Sequence, residues 1–114
     1  MNKPLISIIV PVYNSQTYLS ACLDSILAQT YSCYQIIIVN DCSSDNSIDI
    51  IENYKKKSKN VILINHDQNQ GIGGARNTGL KVAEGDYITY IDSDDEVSSN
   101  YCEELINLIG SADI

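Results

Sequence analysis

The feature that most limits the fold of this 114-residue chain is a regular alternation of short apolar runs with longer amphipathic segments. The four runs cover residues 5–10, 36–39, 61–64 and 87–91. Each is short and almost continuously apolar, as strands buried on both faces of a parallel sheet are. Apolar residues at helical spacing follow every run, so the pattern predicts four consecutive βα units.

The first two predicted helices are bounded by polar residues. The first should begin at Ser15, with Asn14 or Ser15 as its N-cap, since Asn and Ser side chains accept from the free N–H groups of a first turn. The second covers residues 45–57 and ends in a lysine cluster. Cations complement the dipole at a helix C-terminus, so we expect this cluster to be a solvated helix end and not a nucleic-acid surface.

The third helix follows the glycine run 71–74 and has Leu80 and Val82 among its apolar residues. The run lacks the spacing of the known phosphate-loop signatures, and glycines also let a helix pack closely on a sheet, so a phosphate loop and a packing role both stay open. The fourth helix is predicted to stop at Gly110. Residues 111–114 then have the pattern of another strand, so we expect the chain to be part of a longer domain.

Four βα units with short connections predict one α/β domain over residues 1–114, with a Rossmann-like parallel sheet that carries helices on both faces. Right-handed crossovers restrict the usual strand order to 3-2-1-4. Ligands bind such sheets beyond the carboxyl ends of the strands, where the order reverses, here between the first and fourth strands. The residues expected to meet there are 11–14, Asp41 and 92–95.

Charge and cysteine content exclude several classes of protein. The net charge is −8, from 15 acidic and 7 basic residues, so nucleic acid is not an expected partner. The four cysteines have neither CxxC nor zinc-ligand spacing, and residues 1–4 lead into a strand without a signal peptide. We therefore expect a reduced, cytoplasmic protein. No apolar run approaches the ~20 residues of a membrane span, so any membrane contact would be peripheral.

The acidic segment 92–95 (Asp-Ser-Asp-Asp) directly follows the fourth apolar run. Mg²⁺ and Mn²⁺ take oxygen ligands, and Mg²⁺ is usually held by one or two carboxylates together with substrate phosphates. The segment therefore predicts a divalent-cation site with a nucleotide diphosphate as partner. The alternative is a polar turn in which Asp95, Ser98 or Ser99 caps the fourth helix. Convergence of polar groups from three strand ends favours the metal site.

Four further residues lie in or near the predicted ligand site, and each has its own expected role. Asp41 is expected to contact the ligand, with an Asx-turn into the second helix as its structural alternative. Arg76 lies in the first turn of the third helix, where a cation opposes the dipole, so an anionic partner better explains it. Tyr13 follows Pro11 at the switch point, whereas the other tyrosines are predicted to be mostly core. His66, the only histidine, lies in a polar loop and is predicted to be exposed and idle.

Five ordered parts of the chain resemble the family 2 glycosyltransferases of the GT-A fold, and together they cover nearly its whole length. They are 7–14 (SIIVPVYN), 23–27 with 29–31 (LDSIL and QTY), 39–41 with 43–45 (VND and SSD), 69–71 with 75–79 (NQG and ARNTG), and 85–88 with 92–95 (GDYI and DSDD). The resemblance implies a GT-A type fold and an enzyme that moves a sugar from a nucleotide diphosphate sugar to an acceptor hydroxyl, with inversion at the sugar carbon.

The resemblance also implies roles for single residues. The segment after the first strand and Asp41 would contact the base and ribose, Arg76 would lie near the nucleotide, and the DxD motif would bind ribose and a Mn²⁺ or Mg²⁺ ion bridging the diphosphate. Whether Asp94 ligates the ion alone or with Asp95 stays open. The expected substrate-binding residues are Pro11, Val12, Tyr13, Asn14, Asp41, Arg76, Asp92 and Ser93, and the expected metal ligands are Asp94 and Asp95.

In the family that the chain resembles, the general base and the acceptor-binding elements lie downstream of the matching region. We therefore expect catalytic residues beyond Ile114 and none in the chain, which would be an inactive donor-binding half that self-associates or has low solubility. A UDP-sugar is the expected donor, and a sugar or lipid-linked glycan the acceptor. The alternative is a nucleotide-binding module without turnover. A receiver-type signalling domain is rejected because its first strand would end in acidic residues.

Overall fold

The computed structural model describes residues 3–111, which form a four-stranded parallel sheet and four helices. In chain order the elements are β1 (Ile6–Val12), α1 (Leu19–Leu27), β2 (Tyr34–Asn40), α2 (Ser47–Lys57), β3 (Val61–Asn65), α3 (Gly71–Val82), β4 (Tyr87–Tyr90) and α4 (Tyr101–Ser111). The strand order is β3-β2-β1-β4, and every neighbouring pair is parallel. The predicted fold class and strand order are confirmed.

Each face of the sheet packs against different helices. Side chains alternate along a strand, so Ile8 of β1 points into a large core with residues of α1, α2 and α4, whereas Ile9 points to the opposite face. There it packs with Ile37 and Ala75, the latter from α3. Both β1 and most of β2 are buried on both faces, as their continuous apolar runs predict.

The first helix begins later than its sequence pattern predicts. Residues 16–18 form a turn, in which the Ser15 carbonyl accepts from the N–H groups of Tyr18 and Leu19, and α1 starts at Leu19. The Ser15 hydroxyl is not a cap, because it lies 2.6 Å from the Ser93 hydroxyl across the sheet edge. The predicted cap at Asn14 or Ser15 is therefore wrong.

The last helix does not stop at Gly110 but continues to Ser111. A glycine costs a helix only about 1 kcal/mol relative to alanine, so it does not by itself end one. The strand predicted at residues 111–114 is wrong for Ser111, which is helical, and its other residues lie outside the described range.

Helix α3 contacts the sheet through small residues and not through its larger apolar ones. Ala75 and Gly79 are buried, while the larger apolar residues Leu80 and Val82 are exposed. At Gly79 a Cβ atom would lie only 2.6 Å from Cγ2 of the buried Ile9. The backbone of α3 therefore lies so close to β1 that position 79 has no room for a side chain larger than a hydrogen atom.

We expect Gly79→Ala to lower the free energy of unfolding by about 1–3 kcal/mol, because the added methyl group overpacks the contact with Ile9. The matched control is Gly73→Ala in the same helix, where an added Cβ meets nothing within 4 Å. That change should be neutral or stabilising by up to about 1 kcal/mol through helix propensity. Urea unfolding of both variants measures the difference, and equal effects would contradict the close approach.

Within the described range no helix has both the length and the apolar character that crossing a bilayer requires. All four cysteines are free thiols, and Cys22 is fully buried in the large core. The Cys22 thiol points to the carbonyl of Asp92 at 3.6 Å. Burial and the neighbouring carboxylates, Asp95 first, raise the pKa of Cys22 to about 12, so it is an unreactive thiol.

Candidate functional site

A cleft of about 630 Å³ opens at the carboxyl ends of the strands, where β1 and β4 lie side by side. The loops after the strands and the start of α3 form its walls. Its lining consists of Pro11, Val12, Tyr13, Asn14, Ser15, Tyr18, Asp41, Asn69, Gly71, Ile72, Asp92, Ser93 and Asp94. The structure thus brings the predicted segments together at the switch point, while Arg76 and Asp95 lie beside the cleft, each in contact with Asp92.

The loop after β1 is held in place by the loop after β2. Asn14 adopts a left-handed backbone conformation (φ 49°), which Asn tolerates better than most residues. Its N–H donates to the Ser43 hydroxyl (3.0 Å), and its side-chain oxygen accepts from the N–H of Ser44 (2.8 Å). The N–H of Ser15 donates to the Ser47 hydroxyl (2.9 Å). These contacts fix the wall of the cleft that carries Tyr13.

Two tyrosine side chains of this wall face solvent. Tyr13 is 53% exposed and Tyr18 is 58% exposed, and both line the cleft. The helical spacing of Tyr18 predicted a core residue, which is wrong because Tyr18 precedes α1 instead of lying on its apolar stripe. The sequence pattern does not place Tyr18 in the cleft. Its position just before an apolar run does not distinguish a residue of a helix from a residue of a turn.

Asp41 is buried, with 3% of its surface exposed, at the end of β2. Oδ1 accepts from His66 Nδ1 and from the N–H of Gln70 (both 2.8 Å), and Oδ2 accepts from the N–H of Gly71 (2.9 Å). Burial alone would raise the pKa of Asp41, but these hydrogen bonds outweigh it and lower the pKa below its usual value. The Asx-turn alternative is wrong for Asp41, since its neighbour Asn40 accepts the N–H of Ser43 instead.

His66 is neither exposed nor idle, which corrects its predicted state. Its side chain is 6% exposed, and its two ring nitrogens lie 2.8 Å from Asp41 Oδ1 and 2.7 Å from Thr78 Oγ1. The polar composition of the loop favoured an exposed residue. However, α3 packs over this loop, and the sequence of the loop alone does not indicate that contact.

The glycine run is the first turn of α3 and not a separate loop, since the helix begins at Gly71. Gly71 has φ 80°, which favours glycine, and its N–H and that of Gln70 both donate to Asp41. A carboxylate of the chain therefore occupies the helix N-terminus where a phosphate loop would hold a phosphate. This arrangement favours the structural interpretation of the run.

Arg76 bridges α3 and the end of β4. Its Nη2 lies 3.4 Å from Asp92 Oδ1, and its guanidinium lies 5.2 Å from the centre of the Tyr90 ring. Nε is buried and has no hydrogen-bond partner among residues 3–111. The two charged groups are 40% and 48% exposed, so water screens their attraction. The Asp92 carboxylate therefore supplies at least part of the negative charge that the position of Arg76 predicts.

Three carboxylates form a cluster after β4, and we call Asp92, Asp94 and Asp95 the acidic cluster. One oxygen from each lies within 4.8 Å of the others, and Asp94 and Asp95 are exposed. The Asp95 N–H donates to the Asp92 carbonyl (3.0 Å), which closes a turn and holds the side chains together. Oxygen-only donors crowded at this distance suit a hard divalent cation, so the residues fit Mg²⁺ or Mn²⁺.

The structure does not support the alternative in which the acidic segment caps α4. Helix α4 begins at Tyr101, well beyond Asp95, and the N–H of Tyr101 donates to the carbonyl of Ser98. The Ser98 hydroxyl donates to the side chain of Asn100 instead of accepting from the helix. Among the hydrogen bonds of residues 3–111, none joins a carboxylate of the acidic cluster to the start of α4.

A 3-2-1-4 parallel sheet with helices on both faces and a cleft at its switch point agrees with the GT-A type fold that the sequence resemblance implies. The sequence matches the model of the Glycosyl transferase family 2 over residues 7–113, nearly the whole chain. The chain therefore belongs to glycosyl transferase family 2.

Relatives and solved structures agree with this assignment. The chain is 44% identical, over 96% of its length, to the putative glycosyltransferase EpsH of Bacillus subtilis. It is 33% identical to S. aureus TarS 1-349, solved in complex with UDP and with UDP-GlcNAc, each with a TM-score of 0.86 over 92% of this chain. The mannosyltransferase PcManGT from Pyrobaculum calidifontis, solved with GDP-Man and Mn²⁺, shares the fold with a TM-score of 0.83 at 23% identity.

The chain spans about a third of the length of these proteins. It covers 32% of EpsH, 32% of the TarS 1-349 chain and 32% of the mannosyltransferase chain. The matching region is the part with the sheet and the cleft described above.

Proposed function

We propose that the cleft binds the nucleotide diphosphate of a nucleotide sugar, and that this domain holds the donor in an enzyme that transfers the sugar to an acceptor hydroxyl. The observation that carries the proposal is the meeting of Tyr13, Asp41 and two members of the acidic cluster, Asp92 and Asp94, in one cleft. These groups supply a flat aromatic surface, a hydrogen-bond acceptor and a cation site. A nucleotide diphosphate needs these three kinds of partner, and UDP in the TarS structures supports it as the nucleotide.

The base would be held by Tyr13 and Asp41. A carboxylate has about four acceptor positions, and three donors within the described chain use three of those on Asp41. The remaining position, on Oδ2, can accept an N–H from the edge of a base such as uracil. The exposed ring of Tyr13 offers a stacking surface, and Pro11, Val12 and Asn14 complete the wall around it.

The diphosphate would be held at the acidic cluster. Asp94 and Asp95 would ligate Mn²⁺ or Mg²⁺, and Asp92 and Ser93 would contact the ribose. A bound cation offsets the charge that develops on the leaving diphosphate. Arg76 lies next to Asp92 and would supply a second positive charge near the phosphates. A bound cation and Arg76 together would let an acidic chain bind a dianionic or trianionic ligand.

Transfer to the acceptor needs a base for the acceptor hydroxyl, and the cleft does not offer an obvious one. His66 is bonded on both ring nitrogens, and the carboxylates of the acidic cluster are assigned to ribose and cation. We therefore propose that the base and the acceptor site, for a sugar or a lipid-linked glycan, are supplied by the remainder of the enzyme, and that transfer inverts the sugar carbon.

Calorimetric titration of the chain with UDP tests the proposal. We expect binding in the presence of Mn²⁺ that weakens at least about tenfold when a chelator replaces the ion, since metal sites lose 10–100-fold in affinity even when only supporting groups are removed. Equal affinity in chelator would remove the metal from the proposal. If the folded chain bound no nucleoside diphosphate at all, the cleft would have another function. A module without turnover predicts the same binding, and only acceptor-dependent release of UDP separates it from the enzyme.

We also propose that the chain self-associates through the edge of the sheet at β4. Tyr87, Ile88 and Tyr90 are each 37–40% exposed, and within residues 3–111 no strand pairs with the outer edge of β4. An apolar edge strand of this kind favours pairing with another chain. We expect sedimentation to show a dimer whose fraction rises with concentration, and Ile88→Lys to reduce it. The matched control is Ile72→Lys, at an exposed apolar residue of the cleft. A monomer at every concentration would contradict the proposal.

A further inference from the structure

We infer that His66 is a positioning residue, which fixes the carboxylate of Asp41 so that its one remaining acceptor position faces the cleft. The inference rests on the proposed function insofar as it concerns nucleotide binding. Its structural part, that His66 sets the orientation of Asp41 against the start of α3, stands on the contacts between residues of the chain itself.

The placement of His66 suits this role. It follows β3 immediately, its N–H donates to the carbonyl of Asn40 (2.9 Å), and the N–H of Asp41 donates to the carbonyl of Val12 (2.8 Å). The backbones of His66 and Asp41 are therefore tied to neighbouring strands. From there the imidazole spans the gap between Asp41, at the end of β2, and Thr78 in the second turn of α3.

The hydrogen-bond pattern determines which atom of the ring carries a proton. Asp41 is an ionised carboxylate with a lowered pKa and can only accept, so Nδ1 of His66 is the donor in the contact with Oδ1. The Thr78 hydroxyl lies 3.0 Å from the Gly74 carbonyl, as well as 2.7 Å from Nε2. Thr78 thus holds the far side of the ring, and the near side is directed at Asp41.

Fixing a carboxylate needs more than one donor, because its terminal torsion is broad and the group can rotate. The N–H groups of Gln70 and Gly71 approach from one side, the start of α3. His66 approaches Oδ1 from β3 and completes a set of three donors on two oxygens. Without His66, Oδ1 would have a free acceptor position, and the carboxylate could turn its acceptor edge away from the ligand.

A purely space-filling role for His66 makes a different prediction from a positioning role. An Asn side chain places its amide nitrogen near the Nδ1 position of histidine, whereas a Gln side chain reaches towards the Nε2 position. His66→Asn should therefore restore the contact with Asp41 and lose that with Thr78, and His66→Gln should do the reverse. Asn is the smaller of the two side chains, so packing loss alone would harm His66→Asn more than His66→Gln, which is the opposite order to that expected for positioning.

The first measurement needs no ligand and follows hydrogen exchange of the N–H groups of Gln70 and Gly71, which donate to Asp41. We expect their protection to fall in His66→Gln and to be kept in His66→Asn. Thr78→Val, which removes only the far contact, should behave like His66→Asn. Equal loss of protection in both His66 variants would overturn the positioning role.

The second measurement is calorimetric titration of the chain and its variants with UDP and Mn²⁺. We expect His66→Gln to weaken binding about tenfold, in line with loss of a hydrogen bond to a charged group, and His66→Asn to rescue most of that loss. Equal affinities in the two variants would overturn the link to the ligand. If the unmodified chain did not bind UDP, the proposed function would fail together with that link, while the exchange data would still decide whether His66 orients Asp41.

Discussion

Asp94→Asn is expected to weaken Mn²⁺-assisted binding of UDP by a factor on the order of 100, because the loss of groups that merely support metal ligands already costs 10–100-fold. Asp94 is the exposed member of the acidic cluster that also lines the cleft, so its carboxylate would have to serve both ion and diphosphate. An amide is a poorer ligand for a hard cation than a carboxylate. Titration with UDP in Mn²⁺ and in chelator measures the loss, which should vanish in chelator.

The same substitution should not unfold the chain. In the absence of an ion the three carboxylates repel one another, so removal of one charge is expected to leave the stability unchanged or to raise it. The control is Glu96→Gln, which removes one negative charge from an exposed residue just outside the acidic cluster. A loss of stability with unchanged binding per folded molecule would instead assign Asp94 a structural role in the start of α4.

Asp41→Asn is expected to lower the free energy of unfolding by about 3 kcal/mol and to abolish measurable UDP binding, since buried donors left without an ionised acceptor each cost about 1–3 kcal/mol. Three donors converge on this carboxylate. The NH₂ group of an asparagine would face one of them, so at least one N–H would lose its acceptor. Urea unfolding and UDP titration give the two effects, and Asp67→Asn in the neighbouring loop, at an exposed residue, is the control.

The stability conferred by Asp41 should depend on pH in one direction. Its pKa is lower in the folded chain than in the unfolded chain, so its contribution is present above the unfolded value near 3.8 and is lost as the pH falls through the folded value. The gap between the original chain and Asp41→Asn should therefore be constant near neutral pH and narrow below about pH 4. Unfolding at pH 7 and pH 3 measures it. A gap that widened in acid would mean that the carboxyl is protonated in the fold.

The sheet and the position of the cleft could be predicted because apolar runs in the sequence indicate which strands are buried, and the succession of elements limits the strand order. The run from Ile6 to Val10 is apolar at almost every position, and only a central strand covered on both faces needs that. Once right-handed crossovers give the strand order, the residues that follow β1, β2 and β4 must lie together at the carboxyl ends of the strands. The meeting of Tyr13 with Asp41 and Asp92 is thus a consequence of topology and needs no knowledge of side-chain contacts.

The contacts that cover loops could not be predicted in this way. His66 is predicted to be exposed, but its side chain is only 6% exposed, whereas the apolar Leu80 is 45% exposed. Both environments have one cause, the close approach of α3 at Gly79. The helix rotates its smallest residues onto β1, which turns Leu80 outward and places Thr78 over His66. Apolar spacing indicates a helix but cannot tell which side lies closest to the sheet.

The hydrogen bonds between the two loops beside Tyr13 have a consequence for protein engineering. The shape of residues 13–15 is fixed by hydroxyl and backbone groups of residues 43–47, distant in sequence. A chimera that received only the first loop of a relative would lose its anchor points, whereas one that received both loops would keep them. The wall that carries Tyr13 should therefore be exchanged between relatives as a two-loop unit and not as a single segment.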